Sequence, residues 1–202
     1  MKPRAILIVL LVGVLSVGIP LAWQQLVTPR IDTARSALQA STWLSVLPAD
    51  SYDNQPLHAA LPLTQPQLEH SRLRGGYRAT LHGRTAAVVL HSETAGYEGP
   101  IQLLIAIDRD GRVIAVHVLH QEETPGLGGK LAEAGHPWLG AFSGRSQANT
   151  PQSAWALKRD RGQFDQLAGA SVTSRAVIHA VQDALRYFDS HAAQWLAGEA
   201  HE

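Results

Sequence analysis

The chain has no cysteine in its 202 residues, which excludes disulfides, thiolate zinc sites, iron–sulfur ligation and thiol catalysis together. It has no excess of charge either. Seventeen basic residues balance seventeen acidic ones, so the basic surplus or clustered basic face of a nucleic-acid binder is missing. Ten histidines are present but no His-Glu-x-x-His, and His117 with His120 reads as surface or strand filler rather than a ligand pair. No glycine fingerprint for a nicotinamide cofactor follows a strand. The run Gly126-Leu127-Gly128-Gly129-Lys130 lacks the four-residue gap of a phosphate-binding loop, and Leu131 stands where Ser or Thr would hold magnesium. Gly169-Ala170-Ser171-Val172-Thr173 lacks the second glycine of a nucleophile elbow. Internal repeats and low-complexity tracts are absent too. A composition of 45% hydrophobic and 17% charged residues fits one globular domain with a sizeable core plus an appendage.

The appendage is at the N-terminus. Residues 5–23 form a run of 19 without a charge, AILIVLLVGVLSVGIPLAW, which as a helix extends about 28 Å, close to the hydrocarbon thickness of a bilayer. Lys2 and Arg4 precede it, Trp23 sits at its far edge, and Pro20 falls in its last turn. The run exceeds the usual signal-peptide core and no Ala-x-Ala site follows, so an uncleaved signal anchor over residues 1–27 is expected. Arg30 and Arg35 offset Lys2 and Arg4 in the basic count, yet the short tail is most easily left inside. Thr28-Pro29 breaks the span, and Ile31, Ala34, Leu38, Trp43, Leu44 and Leu47 give a helix-like stripe. That predicts a stalk helix over 28–48, packed on a domain occupying 49–202.

Within the domain, 77–81 and 85–90 flank His82-Gly83-Arg84, and 101–107 and 112–119 flank Asp108-Arg109-Asp110-Gly111. Both read as hairpins. Leu103-Leu104-Ile105-Ala106-Ile107 and Val113-Ile114-Ala115-Val116 are apolar on both faces, which predicts a central sheet covered on both sides. From Ser174 onward, Ala176, Val177, Ala180, Val181, Ala184, Leu185 and Phe188 recur at helical spacing. The expected class is α+β, antiparallel hairpins packed with helices. Trp138 and Trp155 are expected in the core.

Two loops carry the chemistry. In Phe164-Asp165-Gln166-Leu167-Ala168-Gly169-Ala170-Ser171-Val172-Thr173-Ser174, small residues stand before Ser171 and leave its alcohol unhindered. The helix that follows would set an anion against free backbone N–H groups and a favourable dipole, and Thr173 and Ser174 could add hydroxyl donors. The alternative is that Ser171, Thr173 or Ser174 simply caps that helix. The run resembles the acceptor sequence onto which a flavin transferase esterifies FMN: an Asp, two free positions, Ser or Thr, then Gly-Ala-Thr. It differs at Ala168, where Ser or Thr is usual, and at Ser171, where Thr is usual. The second loop, Glu122-Glu123-Thr124-Pro125-Gly126-Leu127-Gly128-Gly129-Lys130, has three glycines and a proline and can lie flat against a ring. Glycine N–H groups can approach the pyrimidine carbonyls of an isoalloxazine, Leu127 can cover an apolar face, and Lys130 can stabilise negative charge.

The order of these features, with Gly-Tyr-x-Gly-Pro-Ile at 96–101, Val46-Leu47-Pro48 and Tyr52-Asp53-Asn54, resembles the G subunit of the Rnf (Rsx) ion-translocating electron transport complex over nearly the whole chain. The C subunit of the sodium-translocating NADH:quinone reductase is a more distant likeness. The resemblance implies a single-pass protein of the bacterial inner membrane with a periplasmic FMN-binding domain. It implies FMN bound through a phosphoester and used as an electron relay among other membrane subunits, after maturation by a flavin transferase. Laid on this chain, it puts the attachment at Ser171, the acceptor environment at Asp165, Gly169, Ala170, Val172 and Thr173, and a pocket face at Glu123, Thr124, Gly126, Leu127, Gly128 and Lys130. No substrate turnover by the chain alone is implied. The competing readings are a flavin-free membrane-anchored structural or binding subunit of the same fold, and a flavin reductase acting alone.

Overall fold

The apolar runs pair in the order in which they occur. A computed structural model describes Ser16, residues 42–133 and residues 136–197. All of the expected membrane span but Ser16, and most of the expected stalk, lie outside the described residues. The chain divides into Met1–Thr42 and Trp43–Glu202, and the sheet and long helix belong to the second of these units. Strands β1 (Ser71–Leu81), β2 (Arg84–Ala95), β3 (Pro100–Asp108) and β4 (Val113–His120) form one antiparallel meander in chain order. The long helix among the described residues of this unit, α1, runs Ser171–Leu196.

Each hairpin is closed by the chemistry its turn needs. His82 and Gly83 take φ of 52° and 73°, the pair of left-handed residues that matches the twist of the flanking strands. Asp53 accepts the His82 N–H at 2.7 Å and so holds the turn from outside. In the β3–β4 turn the Asp108 carboxylate accepts the N–H groups of Asp110 and Arg112, both at 2.9 Å, which fixes the reversal locally. The strands run longer than their apolar cores suggest, because β1 and β2 continue through Arg72, Arg74 and Glu93, residues the apolar pattern cannot register.

The sheet is buried on both faces, as its sequence predicts. Ile101, Leu103, Ile105 and Ile107 of β3 join Val177, Ile178, Val181, Leu185 and Phe188 of α1 in one core. Leu104 and Ala106, on the opposite face, join Ala79, Val89, Val46 and Leu47. Trp43 extends that second layer, standing edge-on to Tyr77 and His91 with ring centroids 5.3 and 5.2 Å away. Between β4 and α1 the chain makes short 3-10 turns around a stack of rings. Phe142 and Trp155 lie 4.9 and 5.4 Å from Phe164, and Trp138 and Trp155 are core residues. This stack sets the position of the residues that follow Phe164.

Candidate functional site

Three segments far apart in sequence meet at one buried carboxylate. Glu123, only 5% exposed, accepts the backbone N–H of Tyr97 at 2.8 Å and of Glu98 at 3.2 Å. Its other oxygen accepts the hydroxyl of buried Thr173. A carboxylate withdrawn from water needs such donors, and here they tie the β2–β3 turn, the glycine loop and the first turn of α1 together. The glycines are what allow the approach. A Cβ on Gly96 would lie 2.1 Å from Glu123 Oε1, and one on Gly128 would lie 2.7 Å from Glu123 Oε2 and 2.9 Å from Thr173 Oγ1.

Helix α1 begins at Ser171, three residues earlier than the apolar stripe suggests, and no side chain caps it. Its N-cap is Ala170, which offers no acceptor. The hydroxyls that might have capped it are used elsewhere: Ser174 donates to the Ala170 carbonyl at 2.8 Å and accepts from the Leu167 N–H at 3.0 Å, and Thr173 serves Glu123. Neither is therefore free as a donor to an anion. The Ser171 hydroxyl is the one left facing the cleft, donating to Gln166 Oε1 at 2.8 Å. Before it, Gly169 takes φ +74°, and a Cβ there would meet Leu127 at 2.8 Å. The loop and the acceptor run thus touch only because position 169 has no side chain.

The resulting cleft is about 310 Å³, lined by Tyr97, Thr124, Leu127, Gly128, Val172 and Thr173 together with Glu123 and the 169–171 run. Among the described residues, the exposed large hydrophobic side chains are Tyr97, Leu127 and Val172, at 70%, 42% and 47%. All three line this cleft, and exposed apolar side chains that converge mark a ligand site rather than chance.

Three of the expected residues lie elsewhere. Gly126 takes φ +78° with open space where a side chain would be. Asp165 turns outward, 71% exposed, and pairs with Lys158 at 2.7 Å, while its carbonyl accepts the Trp138 indole N–H at 2.6 Å. Lys130 opens, with Asp165, onto a neighbouring hollow of about 370 Å³. Conversely, the fold brings Tyr97, Gln166 and Arg159 to the site, residues that the motifs do not mark as belonging to it. Tyr97 has a readable signal, an aromatic between glycines in a turn. Arg159, whose guanidinium lies 3.4 Å from Ser171 Oγ, has none.

The residues present fit an FMN: an uncapped helix start for its phosphate, an unhindered hydroxyl beside it and apolar walls for its ring. Residues 96–186 match the family model described as FMN-binding domain. The match spans all three segments gathered by Glu123. The chain is 41% identical over 198 residues to the G subunit of the ion-translocating oxidoreductase complex of Pseudomonas aeruginosa, covering 97% of this chain and 92% of the relative. It is 35% identical over 180 residues to the G subunit of the same complex in Escherichia coli strain K12, covering 89% and 87%. The chain belongs to this G-subunit family. The crystal structure of Shewanella oneidensis NqrC is similar over 61% of either chain, at 22% identity and a TM-score of 0.47.

Proposed function

We propose that this chain is a membrane-anchored flavoprotein subunit that relays electrons through FMN within an ion-translocating complex, with the FMN phosphate esterified to Ser171. The observation that carries the reading is the convergence of the exposed apolar residues Tyr97, Leu127 and Val172 on the uncapped start of α1, beside the Ser171 hydroxyl. When bound, FMN supplies reversible electron uptake and release, chemistry that no side chain of this cysteine-free chain provides.

The chain's own residues do the holding. Tyr97, Leu127 and Val172 give the ring an apolar bed and keep water from one side of it. The first-turn N–H groups of α1 face the phosphate with the positive end of the helix dipole behind them. Gln166 orients the Ser171 hydroxyl. Glu123 does not touch the ligand in this reading; it fixes Tyr97, the glycine loop and Thr173 relative to one another. Asp165, turned to solvent, is left for recognition by the transferase that installs the flavin. A covalent link suits an exported domain, which could not readily replace a lost cofactor. The anchor over residues 5–23 and a periplasmic domain complete the proposal.

Coexpression of the full chain with a flavin transferase tests the attachment. Flavin absorbance is expected to survive denaturation and washing, with the adduct on the peptide containing Ser171. Ser171→Ala is expected to lose it and Ser171→Thr to keep it. A flavin on Thr173 overturns the attachment at Ser171, and a colourless wild-type chain overturns the flavin reading and leaves the flavin-free structural role.

A further inference from the structure

The segment before the acceptor run, Lys158-Arg159-Asp160-Arg161, places several charges at the start of α1, and two of the cations there are paired with an acid. Lys158 meets Asp165 and Arg175 meets Asp160, each at 2.7 Å. Arg159 has no carboxylate partner among the described residues. Its Nη1 instead reaches two neutral oxygens, Gln166 Oε1 and Ser171 Oγ, both at 3.4 Å. These are long contacts for a guanidinium, whose bonds to anionic oxygen normally close to about 2.7–2.9 Å. An unneutralised guanidinium thus rests beside the hydroxyl expected to carry a phosphate, and in front of a helix end that itself favours negative charge.

Resting on the flavin reading of the cleft, we infer that Arg159 is a phosphate-binding residue of this site, with its guanidinium donating to the non-bridging oxygens of the FMN phosphate. Gln166 then has a double part, holding the Ser171 hydroxyl by its amide oxygen and Arg159 by the same atom, so that hydroxyl and cation are presented together. The segment that carries Arg159 is held rigidly enough for this. Lys158 N–H donates to the Phe164 carbonyl at 2.7 Å and Phe164 N–H to the Ala156 carbonyl at 3.1 Å, which locks the cation-bearing turn against the start of the acceptor run. A Cβ on Gly162 would lie 2.0 Å from the Ala156 carbonyl oxygen, so the return of this turn is as close as a backbone permits.

The test compares two ligands that differ only in the phosphate. Full-length chain produced without transferase is titrated with FMN and with riboflavin, as wild type, R159Q and R159K, following flavin fluorescence. R159Q is expected to weaken FMN at least about tenfold, the loss of one hydrogen bond to a charged group, and to leave riboflavin unchanged. R159K is expected to recover part of the FMN affinity, since it keeps the charge but not the fork. Equal weakening of both ligands would make Arg159 a structural residue and overturn the inference, as would FMN binding to R159Q as tightly as to wild type. Either result leaves the flavin reading standing. If the wild type takes up neither ligand, this inference falls, while the flavin reading is still decided by the adduct on Ser171 in the coexpressed chain.

Discussion

At the scale of single residues, glycine does more here than turn the chain. Gly128→Ala is expected to cost about 1–3 kcal/mol, because its Cβ would enter the space of Glu123 and Thr173, and to shift the fluorescence and potential of a bound flavin as the loop moves off the cleft. Gly126→Ala meets no neighbour and should show only the strain of a left-handed backbone, about 1–2 kcal/mol. Urea melts and a flavin titration of both variants separate the two; equal effects on the flavin would place Gly126 in the cleft after all. Thr173→Ala removes a donor from the buried Glu123 carboxylate and should cost about 1–3 kcal/mol of stability while leaving Ser171 able to carry flavin. Loss of the adduct in a Thr173→Ala chain that is still folded would contradict that division of labour between the two hydroxyls.

Among the elements, the join between β1 and α1 is polar. Asp183, buried on the helix, accepts the His70 N–H at 2.8 Å and the Ser71 hydroxyl at 3.0 Å. Glu69, His70 and Asp183 bring metal-ligating atoms together, but Arg186 already supplies the positive charge there, 2.6 Å from Glu69 and 3.9 Å from Asp183. Asp183→Ala should therefore destabilise by about 1–3 kcal/mol, with Ser71 left buried and unpaired. Nearby, burial pushes the His179 imidazole below its ordinary pKa, with His70 adding to the effect; burial does the same to His91 under Trp43, against the opposing bond from Gln102. A depressed folded pKa means that the unfolded chain takes the proton first. The stability is fully present above about pH 6.5 and is lost as pH falls from there through the lowered folded values. The carboxylates held down by arginine, Glu93 by Arg72 and Glu69 by Arg186, act lower, as pH falls below about 4.5. Thermal melts from pH 7.5 to 5 should show Tm falling with pH, and the double variant His91→Gln with His179→Gln should flatten the slope. An unaltered slope would move its cause elsewhere.

The same elements show why some of the structure can be read from sequence and some cannot. The hairpins announce themselves through turn chemistry at His82-Gly83 and Asp108 to Gly111, and α1 through its period, because both signals are local. The 3-10 turns from Pro137 to Asp160 carry no period long enough to register, and they hold position through the ring stack on Phe164. The loop and the acceptor run are visible as motifs. Their connection is not, since the bonds from Tyr97, Glu98 and Thr173 to Glu123 span tens of residues. Glu123, expected in the pocket wall, is among its lining residues, and its second part as the tie is hidden for the same reason.

For the molecule as a whole, the length of the uncharged run over residues 5–23 and the missing cleavage site are the basis of the proposed uncleaved anchor with the domain outside. A C-terminal alkaline phosphatase fusion should be active and a C-terminal fluorescent fusion of the cytoplasmic type dark; the reverse pair, or a mature N-terminus beyond residue 22, ends that expectation. The Glu123 tie also has a consequence in time. Its donors sit about 25 residues before it in the chain and 50 after it, so the carboxylate cannot be satisfied until the meander has formed and α1 has docked. Closing contacts of such separation comes late in folding. On the proposed attachment at Ser171, a transferase that recognises the assembled cleft would mark just those chains in which these contacts have closed, so that colour would become a record of completed folding.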